Sequence, residues 1–299
     1  MTDIIHVPEA DPWLRIAAIQ RDRWAPNPVS DGALKRARLA VSSAGRLRPR
    51  AVLFWGPPNA GKSALREKIV REIERNLFFP GRAQAQVIVS FEAPPEADEA
   101  RFYEALLQGA HRYIPPGNNR TLLQAVTLYF EDVRPDVMIL DEVGNLNAYT
   151  GARGAICLNA LRRLCNVHKV ALLGFGTATA MTAMQADEQL ENRLEIFHLR
   201  PLTPPEFTTF VDLMTSAMPL LQPTVWSPAM LERAYEMTGG YVGRTVYLIH
   251  DAATEAVLSG IEQITPEILD SDELAESLAA LRQARMRAGR RGRRSGGDR

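Results

Sequence analysis

The 299-residue sequence lacks any long apolar stretch. No hydrophobic run approaches the roughly 18 residues that a helix needs to cross a bilayer, so no membrane-spanning segment is expected. The opening residues, MTDIIHVPEADPW, are too acidic and too interrupted by proline for a secretory signal peptide. These features predict a cytoplasmic protein that does not associate with a membrane.

Cysteine is also scarce, since Cys157 and Cys165 are the only two in the chain. They occur in a segment whose pattern predicts a helix, where a separation of eight residues is too long for a disulfide within that helix. A redox pair or half of a metal site is the functional alternative. We favour two small buried side chains in a reducing compartment.

The formal net charge is zero, but the charges are unevenly distributed. From Arg282 onward there are eight arginines and one acid, Asp298, which gives this segment a formal charge of +7 and leaves −7 for the rest. Spacing by Gly, Ala and Ser predicts that residues 282–299 form a disordered basic tail. Such a tail suits duplex DNA or an acidic protein surface, or it is merely solvated.

Proline and hydrophobic patterns divide the chain into four segments. Residues 1–30 contain four prolines and no sustained apolar period, which predicts an irregular N-terminal arm. Residues 31–200 alternate short apolar runs with helical stretches, as expected for a parallel sheet covered on both faces. Residues 201–281 lose the strand signals and predict a small helical lid, and the basic tail of residues 282–299 follows.

The alternation predicts individual elements. Strands are expected at 51–55, 86–91, 137–140, 170–175 and 195–199. Helices are expected at 31–45, 63–75, 98–113, 121–133 and 152–166, and in the lid at 205–218, 228–237, 242–259 and 266–283. The fold class is therefore α/β, a parallel sheet flanked by helices with a small C-terminal helical lid.

A phosphate-binding motif follows the first predicted strand. The pattern G-x-x-x-x-G-K-[ST] is matched by Gly56, Pro57, Pro58, Asn59, Ala60, Gly61, Lys62 and Ser63. Glycines in such a loop let backbone N–H groups turn toward phosphate oxygens, and the following helix adds its positive N-terminal dipole. Lys62 would reach the β- and γ-phosphates, and Ser63 would ligate Mg²⁺. The motif predicts ATP and Mg²⁺ as cofactors.

Two other strand ends supply candidates for catalysis. Asp141 and Glu142 follow four apolar residues, which places them at the carboxyl end of a strand, where open α/β sheets bind ligands. Asp141 is expected to hold Mg²⁺ through water, and Glu142 to polarise the attacking water, which favours a hydrolase over a small-molecule kinase. Thr177 ends the strand predicted at 170–175. It is expected to contact the γ-phosphate or orient the water, or else to cap the next helix.

Arg193 precedes the last predicted strand. An arginine at this position can project into the ATP site of a neighbouring subunit and stabilise the charge that develops on the γ-phosphate. A surface salt bridge is the alternative.

These elements, in this order and followed by a helical lid, resemble the AAA+ ATPases, and within them the TniB/TnsC/MuB group of transposition regulators. GPPNAGKS, MILDEVGNL, LLGFGT and ADEQLENRLEIFHLRPL carry the resemblance, which covers roughly residues 31–260. It implies an ATPase that assembles on double-stranded DNA as a ring or helical filament and recruits a DDE transposase. ATP hydrolysis would then control target selection, with or without a targeting protein (TniQ-like or a CRISPR effector).

The chain departs from the group's pattern at two places. Val143 and Gly144 stand where many relatives have a bulkier residue and a histidine, which bears on the hydrolysis rate. In the lid, Arg244 of GGYVGR is displaced by one residue from the commonest position of a nucleotide-sensing arginine. Arg244 is nevertheless a candidate for nucleotide contact.

Candidates for DNA contact surround the sequence PPGNNRT, which predicts a loop between two helices. They are Arg112, Asn119, Arg120 and Thr121. Basic and amide side chains on such a loop would contact phosphates without reading bases. The alternative is that Asn119 caps a helix beside a solvated arginine.

Two other functions are compatible with these residues. One is a scaffold or switch that binds ATP and assembles, with negligible turnover. The other is a different DNA-dependent AAA+ protein, such as a helicase loader.

Overall fold

A computed structural model describes residues 11–79, 86–96, 98–147, 152–185, 194–272 and 274. The described residues divide into two compact units: residues 28–200, here called the sheet unit, and residues 11–27 with those from 201 onward, here called the helical unit. Within the described ranges, no helix is both long and apolar enough to cross a membrane. Arg193 and the basic tail lie outside the described residues.

The sheet unit contains five strands in the order β2-β3-β4-β1-β5. Every neighbouring pair is parallel, and β1, β3 and β4 are buried along nearly their whole length. This burial explains their continuous apolar runs, because helices cover both faces of such a sheet. The predicted α/β class is confirmed, with strands β1 (Ala51–Trp55), β2 (Ile88–Glu92), β3 (Val137–Asp141), β4 (Ala171–Gly176) and β5 (Leu194–His198).

The five helices predicted in the sheet unit are present, whereas the helix Ala178–Gln185 is not among the predicted elements. The bounds of these five helices differ from the predicted ones by a few residues at most, as expected from fraying and capping at helix ends. A short 3₁₀ helix, Val143–Asn147, follows β3. The described helices are α1 (Pro12–Ile19), α2 (Pro28–Val41), α3 (Lys62–Glu74), α4 (Glu99–Gly109), α5 (Asn119–Val133), α6 (Ala152–His168), α7 (Ala178–Gln185), α8 (Pro204–Ser216), α9 (Pro228–Thr238), α10 (Val242–Leu258) and α11 (Pro266–Leu269).

The two cysteines are structural residues of the core. Cys157 and Cys165 lie on α6, both buried and neither in a disulfide, in the apolar cluster between this helix, α4, α5 and the sheet. Burial raises the pKa of the Cys157 thiol to about 11, so the nucleophilic thiolate is suppressed at neutral pH. The interpretation as two buried apolar side chains is confirmed.

The expectation of an irregular N-terminal arm is wrong for residues 12–19. This segment is helix α1, which begins where the Asp11 carboxylate accepts a hydrogen bond from the Trp13 N–H at 3.1 Å. Prolines predict irregular structure in a helix interior, but Pro12 lies at the first helical position, where it has no N–H to lose and a φ suited to the helix. Ile16 and Ile19 are buried, and α1 packs against α10 within the helical unit.

A largely buried ion pair holds α1 within the helical unit. Arg15 donates to both carboxylate oxygens of Glu262, and the bond from Nη1 to Oε2 is 2.7 Å long. The side chains are only 4 % and 13 % exposed. Their hydrogen bonding raises the pKa of Arg15 and lowers the pKa of Glu262, so both charged forms are stabilised in the folded state.

Arg15→Ala is expected to lower the free energy of unfolding by about 3 kcal/mol, because Glu262 would be left as an uncompensated charge. The folded pKa of Glu262 is lowered, so its contribution is present above the unfolded pKa of about 4.3 and is lost as pH falls through the folded value. Denaturant titrations at neutral and acidic pH measure both effects, with exposed Arg21→Ala as the control. A destabilisation that is equal at both pH values would contradict the ion-pair account.

The helix predicted at 266–283 is wrong in its extent. Helix α11 ends at Leu269, and Asp270 leaves helical geometry with φ −99° and ψ 6°. The Ser271 hydroxyl then accepts a hydrogen bond from the Leu274 N–H at 3.3 Å. Serine and aspartate compete for the backbone hydrogen bonds of a continuous helix, which explains the break. Residues 275–283 lie outside the described part of the chain.

Candidate nucleotide site

The phosphate-binding loop is a tight turn between β1 and α3. Gly61, at the N-cap of α3, has a φ of +94°, and Asn59 has a φ of +61°. A Cβ added to Gly56 would lie 2.9 Å from the Ala60 Cβ, closer than carbon atoms can pack. The two motif glycines are therefore required, one by backbone conformation and the other by close approach.

Neighbouring strands fix the start of this loop. The Gly56 N–H donates to the Gly176 carbonyl at 3.2 Å, and the Leu199 N–H donates to the Trp55 carbonyl at 2.8 Å. The Trp55 and His198 rings stack with their centroids 4.1 Å apart. Contacts with the ends of both β4 and β5 thus hold the loop at the carboxyl edge of the sheet.

Lys62 and Ser63 form the first turn of α3. The Lys62 ammonium donates to the carbonyl oxygens of Gly56 and Pro57, both at 2.9 Å, and Ser63 is exposed. Because Gly61 has no side chain, no side-chain cap satisfies the first N–H groups of α3. These donors, the helix dipole and the ammonium together suit phosphate oxygens.

The acidic pair lies at the carboxyl edge of the sheet, as its sequence predicts. Asp141 is the last residue of β3; its Oδ1 accepts from the Glu142 N–H at 2.9 Å, and its Oδ2 lies 3.3 Å from Nη1 of Arg66. Glu142 is exposed and has a φ of +48°, a conformation that is unfavourable for a residue with a Cβ. Such strain is concentrated at functional sites.

A third carboxylate shapes the electrostatics of this edge. Glu92 ends β2 directly opposite Asp141 in the parallel register. Although the residue as a whole is exposed, partial burial of the Glu142 carboxylate raises its pKa. The carboxylates of Asp141 and Glu92 raise this pKa further, and the Lys62 ammonium opposes them. Glu92 could not be found from its own strand pattern, because only the register of β2 on β3 places it here.

Arg66 is the second residue of the site that the motifs miss. It lies three residues after Ser63 on α3, and residues at this spacing share one face of a helix. Helical spacing from the motif was thus an available signal, although it does not identify Asp141 as the partner.

Thr177 follows β4, which pairs with β3 in parallel. Its hydroxyl lies 2.9 Å from that of Thr179, and its carbonyl accepts from the Ala180 N–H at 2.9 Å. Thr177 therefore lies at the capping position directly before α7, which is the structural alternative to a catalytic role. A role toward a γ-phosphate stays a prediction.

The departure at Gly144 has a packing reason. A Cβ on Gly144 would lie 2.5 Å from the Thr179 hydroxyl oxygen, and one on Gly176 would lie 2.4 Å from the Ala180 Cβ. Both glycines let the 3₁₀ helix after Glu142 pack closely on the start of α7. A bulky residue or histidine at position 144 would separate these two segments.

Arg244 lies in the helical unit. Its guanidinium lies over the ring of Tyr241, 5.0 Å from the centroid, a cation–π arrangement within the first turn of α10. Its role toward a nucleotide stays a prediction. The predicted finger Arg193 lies outside the described residues.

The predicted DNA-contacting residues are not brought together. Asn119, Arg120 and Thr121 are the first turn of α5 rather than a loop, and Asn118 caps them by accepting from the Arg120 and Thr121 N–H groups. Arg112 instead pairs with Asp132 at 3.4 Å. Asp132 lies near the other end of α5, about 20 Å along the helix axis from Asn119. The loop between α4 and α5 spans residues 110–118, so Arg112 is the one of the four candidates that lies in it. The Asn119 amide donates to the Glu99 carboxylate at 3.2 Å, at the start of both helices. Contact with DNA stays a prediction.

The donors at this edge fit a magnesium–nucleotide complex. A hydroxyl and a carboxylate, Ser63 and Asp141, are the oxygen ligands that Mg²⁺ takes together with phosphates and water. Lys62 and the uncapped N–H groups of α3 supply donors for the phosphates. The residues present are therefore those that such a complex requires.

The fold and this edge define the class of protein. An AAA+ ATPase is characterised by four features that this chain combines: a motif loop after the first strand, an acidic pair after the third, the strand order 2-3-4-1-5 and a following helical unit.

Solved structures with this fold include the Drosophila ORC bound to DNA. Its TM-score is 0.62, and the identity is 14 % over 95 % of this chain and 72 % of that one. The Aeropyrum pernix ORC1 protein in complex with DNA has a TM-score of 0.63 and 17 % identity over 89 % and 68 %. The Aeropyrum pernix ORC2 protein, in ADPNP–ADP complexes, has a TM-score of 0.60 and 17 % identity over 85 % and 70 %.

The family follows from the sequence profile. Residues 15–203 match the family described as bacterial TniB protein, and this chain belongs to the TniB family. No curated protein shows a significant match.

Proposed function

We propose that this chain is an ATP-dependent transposition regulator that assembles on target double-stranded DNA, recruits a DDE transposase and hydrolyses ATP to control target selection. The observation that carries the ATPase part is the convergence of Lys62, Ser63, Asp141 and Glu142 at one edge of the sheet. Membership of the TniB family supports the transposition part.

Each residue of the site has a separate role in this proposal. Lys62 binds the β- and γ-phosphates, while the N–H groups of the loop hold the remaining phosphate oxygens. Ser63 and Asp141 hold Mg²⁺, which neutralises phosphate charge when it is bound. Glu142 orients and polarises the attacking water, and its exposure on the strand end leaves room for that water.

Completion of the site requires a second copy of the chain. Arg193 of one subunit would contact the γ-phosphate held by the next, which couples turnover to assembly as a ring or filament. In this proposal Thr177 contacts the γ-phosphate or orients the attacking water, and Arg244 contacts the nucleotide.

Arg120 is the candidate for DNA contact that the geometry supports best. It lies exposed in the first turn of α5, where the helix N-terminus also favours phosphate. Asn119 and Thr121 flank it, while Arg112 is held by Asp132 and the Tyr129 ring. The basic tail would add contacts to duplex phosphates or dock a transposase or targeting protein.

Lys62→Ala is expected to abolish ATP binding and ATP-dependent assembly on duplex DNA. The variant loses the positive charge that the loop directs at the phosphates. Binding of a fluorescent ATP analogue and sedimentation with duplex DNA measure the two effects. Lys68→Ala, on the same helix but paired with Glu72 at 3.2 Å, is the matched control.

Undiminished ATP affinity in Lys62→Ala would overturn the phosphate-site assignment. Single-turnover hydrolysis by the unaltered chain, with and without duplex DNA, separates the proposed ATPase from a scaffold with negligible turnover. DNA-stimulated turnover without transposase recruitment would instead favour another DNA-dependent AAA+ protein, such as a helicase loader.

A further inference from the structure

Arg66 contacts the residue predicted to hold Mg²⁺. Its Nη1 lies 3.3 Å from Oδ2 of Asp141, and the two side chains are 35 % and 17 % exposed. The other carboxylate oxygen, Oδ1, already accepts the Glu142 N–H at 2.9 Å. Both oxygens of Asp141 are therefore engaged by the protein itself, and the side chain that holds Oδ2 is partly exposed to solvent.

The surrounding charges explain why a cation is needed there. Glu92 lies opposite Asp141 in the sheet register, and Glu142 follows it, so three carboxylates meet at one strand edge. The Lys62 ammonium is directed at the carbonyls of Gly56 and Pro57 rather than at Asp141. Among the described residues, Arg66 is thus the cation whose side chain directly contacts Asp141, the carboxylate predicted to hold the metal.

Arg66 is close to both residues that are predicted to hold the metal, Ser63 and Asp141. It lies on the same face of α3 as Ser63, three residues away, and it contacts Asp141 across the gap between α3 and β3. A metal ion held between Ser63 and Asp141 would approach the carboxylate that Arg66 contacts. Two cations at one carboxylate oxygen repel each other, so their binding is competitive.

We propose that Arg66 is the counter-ion of the metal-free site, which neutralises Asp141 and competes with Mg²⁺ for Oδ2. Arg66 is then a positioning residue that sets how much Mg²⁺ the site requires. It holds the carboxylate at the strand end before the metal arrives and yields it on metal binding. This inference rests on the proposed ATP site.

The test compares Arg66→Gln, Arg66→Lys and the control Arg71→Gln. Arg71 lies on the outer face of the same helix, where it pairs with Glu67, and both side chains are exposed. For each full-length variant, the binding of a fluorescent ATP analogue is titrated with Mg²⁺. Thermal unfolding is measured in parallel without metal or nucleotide.

In Arg66→Gln the half-saturating Mg²⁺ concentration is expected to fall about two- to fivefold, the range given by a partly exposed ion pair. The melting temperature without metal should also fall, because the carboxylate cluster loses its counter-ion. Arg66→Lys, which keeps the charge, should stay near the unaltered protein, as should Arg71→Gln.

An unchanged or higher Mg²⁺ requirement in Arg66→Gln would overturn the proposal, as would an equal shift in Arg71→Gln. If Arg66→Gln fails to fold, Arg66→Lys decides. A fall in the half-saturating Mg²⁺ concentration of Arg66→Lys as large as that expected for Arg66→Gln would contradict a role of the charge. If the unaltered protein does not bind the analogue at any Mg²⁺ concentration, the proposed function itself fails. Normal binding with no shift in the variants overturns only the role of Arg66.

Discussion

Glu142→Gln is expected to lower the rate of ATP hydrolysis by about 10²- to 10⁴-fold, the range for loss of a positioned general base. The amide keeps the size and hydrogen bonding of the side chain but cannot polarise water as a carboxylate does. Lys62, Ser63 and Asp141 are untouched, so ATP should still bind. The variant should therefore accumulate as an ATP-bound assembly on duplex DNA.

Single-turnover hydrolysis and sedimentation with DNA measure these two effects of Glu142→Gln. Glu96→Gln is the matched control, because Glu96 is an exposed carboxylate beyond the end of β2 that pairs with Arg101. Hydrolysis at the unaltered rate in Glu142→Gln would exclude Glu142 as the activating residue. Loss of ATP binding would show that Glu142 holds the nucleotide rather than the water.

Arg193→Ala is expected to lower turnover by about 10³-fold or more while leaving ATP binding by each subunit nearly intact. A finger contributes this much because it stabilises charge that develops on the γ-phosphate only as the transition state forms. ATPase rates and equilibrium binding of an ATP analogue measure the two quantities. Arg163→Ala, an exposed arginine on α6, is the control for loss of surface charge.

A mixing experiment tests whether Arg193 acts on the neighbouring subunit. The Arg193→Ala and Glu142→Gln proteins are each expected to hydrolyse ATP slowly for a different reason, and a mixed interface can pair an intact finger with an intact Glu142. Partial recovery of turnover in the mixture is expected. No recovery, with assembly of the mixture intact, would contradict action between subunits.

The local motif was the most predictable part of the site. Gly56 and Gly61 are dictated by sterics within a few residues, and the apolar strand before them and the helix after them are local patterns as well. The same holds for Asp141, whose position at the end of β3 follows from the four apolar residues before it. Such features depend on neighbours in sequence, so reading along the chain is sufficient.

The predictions of helix bounds were wrong where one residue type can either start or interrupt a helix, depending on its neighbours. Pro12 both disfavours a helix interior and favours a helix start, and the Asp11 cap decides for the start. At Ser271 the opposite error arises: the apolar period predicts one continuous helix over 266–283, but the serine and the neighbouring aspartates end the first helix at Leu269. At Asn119 the predicted loop extends too far, because Asn118 caps the helix that begins at Asn119.

The sequence by itself determined the α/β class, the five strands and their order along the chain, the phosphate loop and the acidic pair after β3. Only the tertiary structure decided that Glu92 faces Asp141, that Arg66 pairs with it, that Arg112 lies far from Asn119, and that α1 joins the helical unit through Arg15 and Glu262. Periodicity and turn chemistry act over a few residues, whereas strand register, helix packing and ion pairs join residues up to 247 positions apart. Contacts at that separation are selected by the packing of the whole core, and no local pattern encodes them.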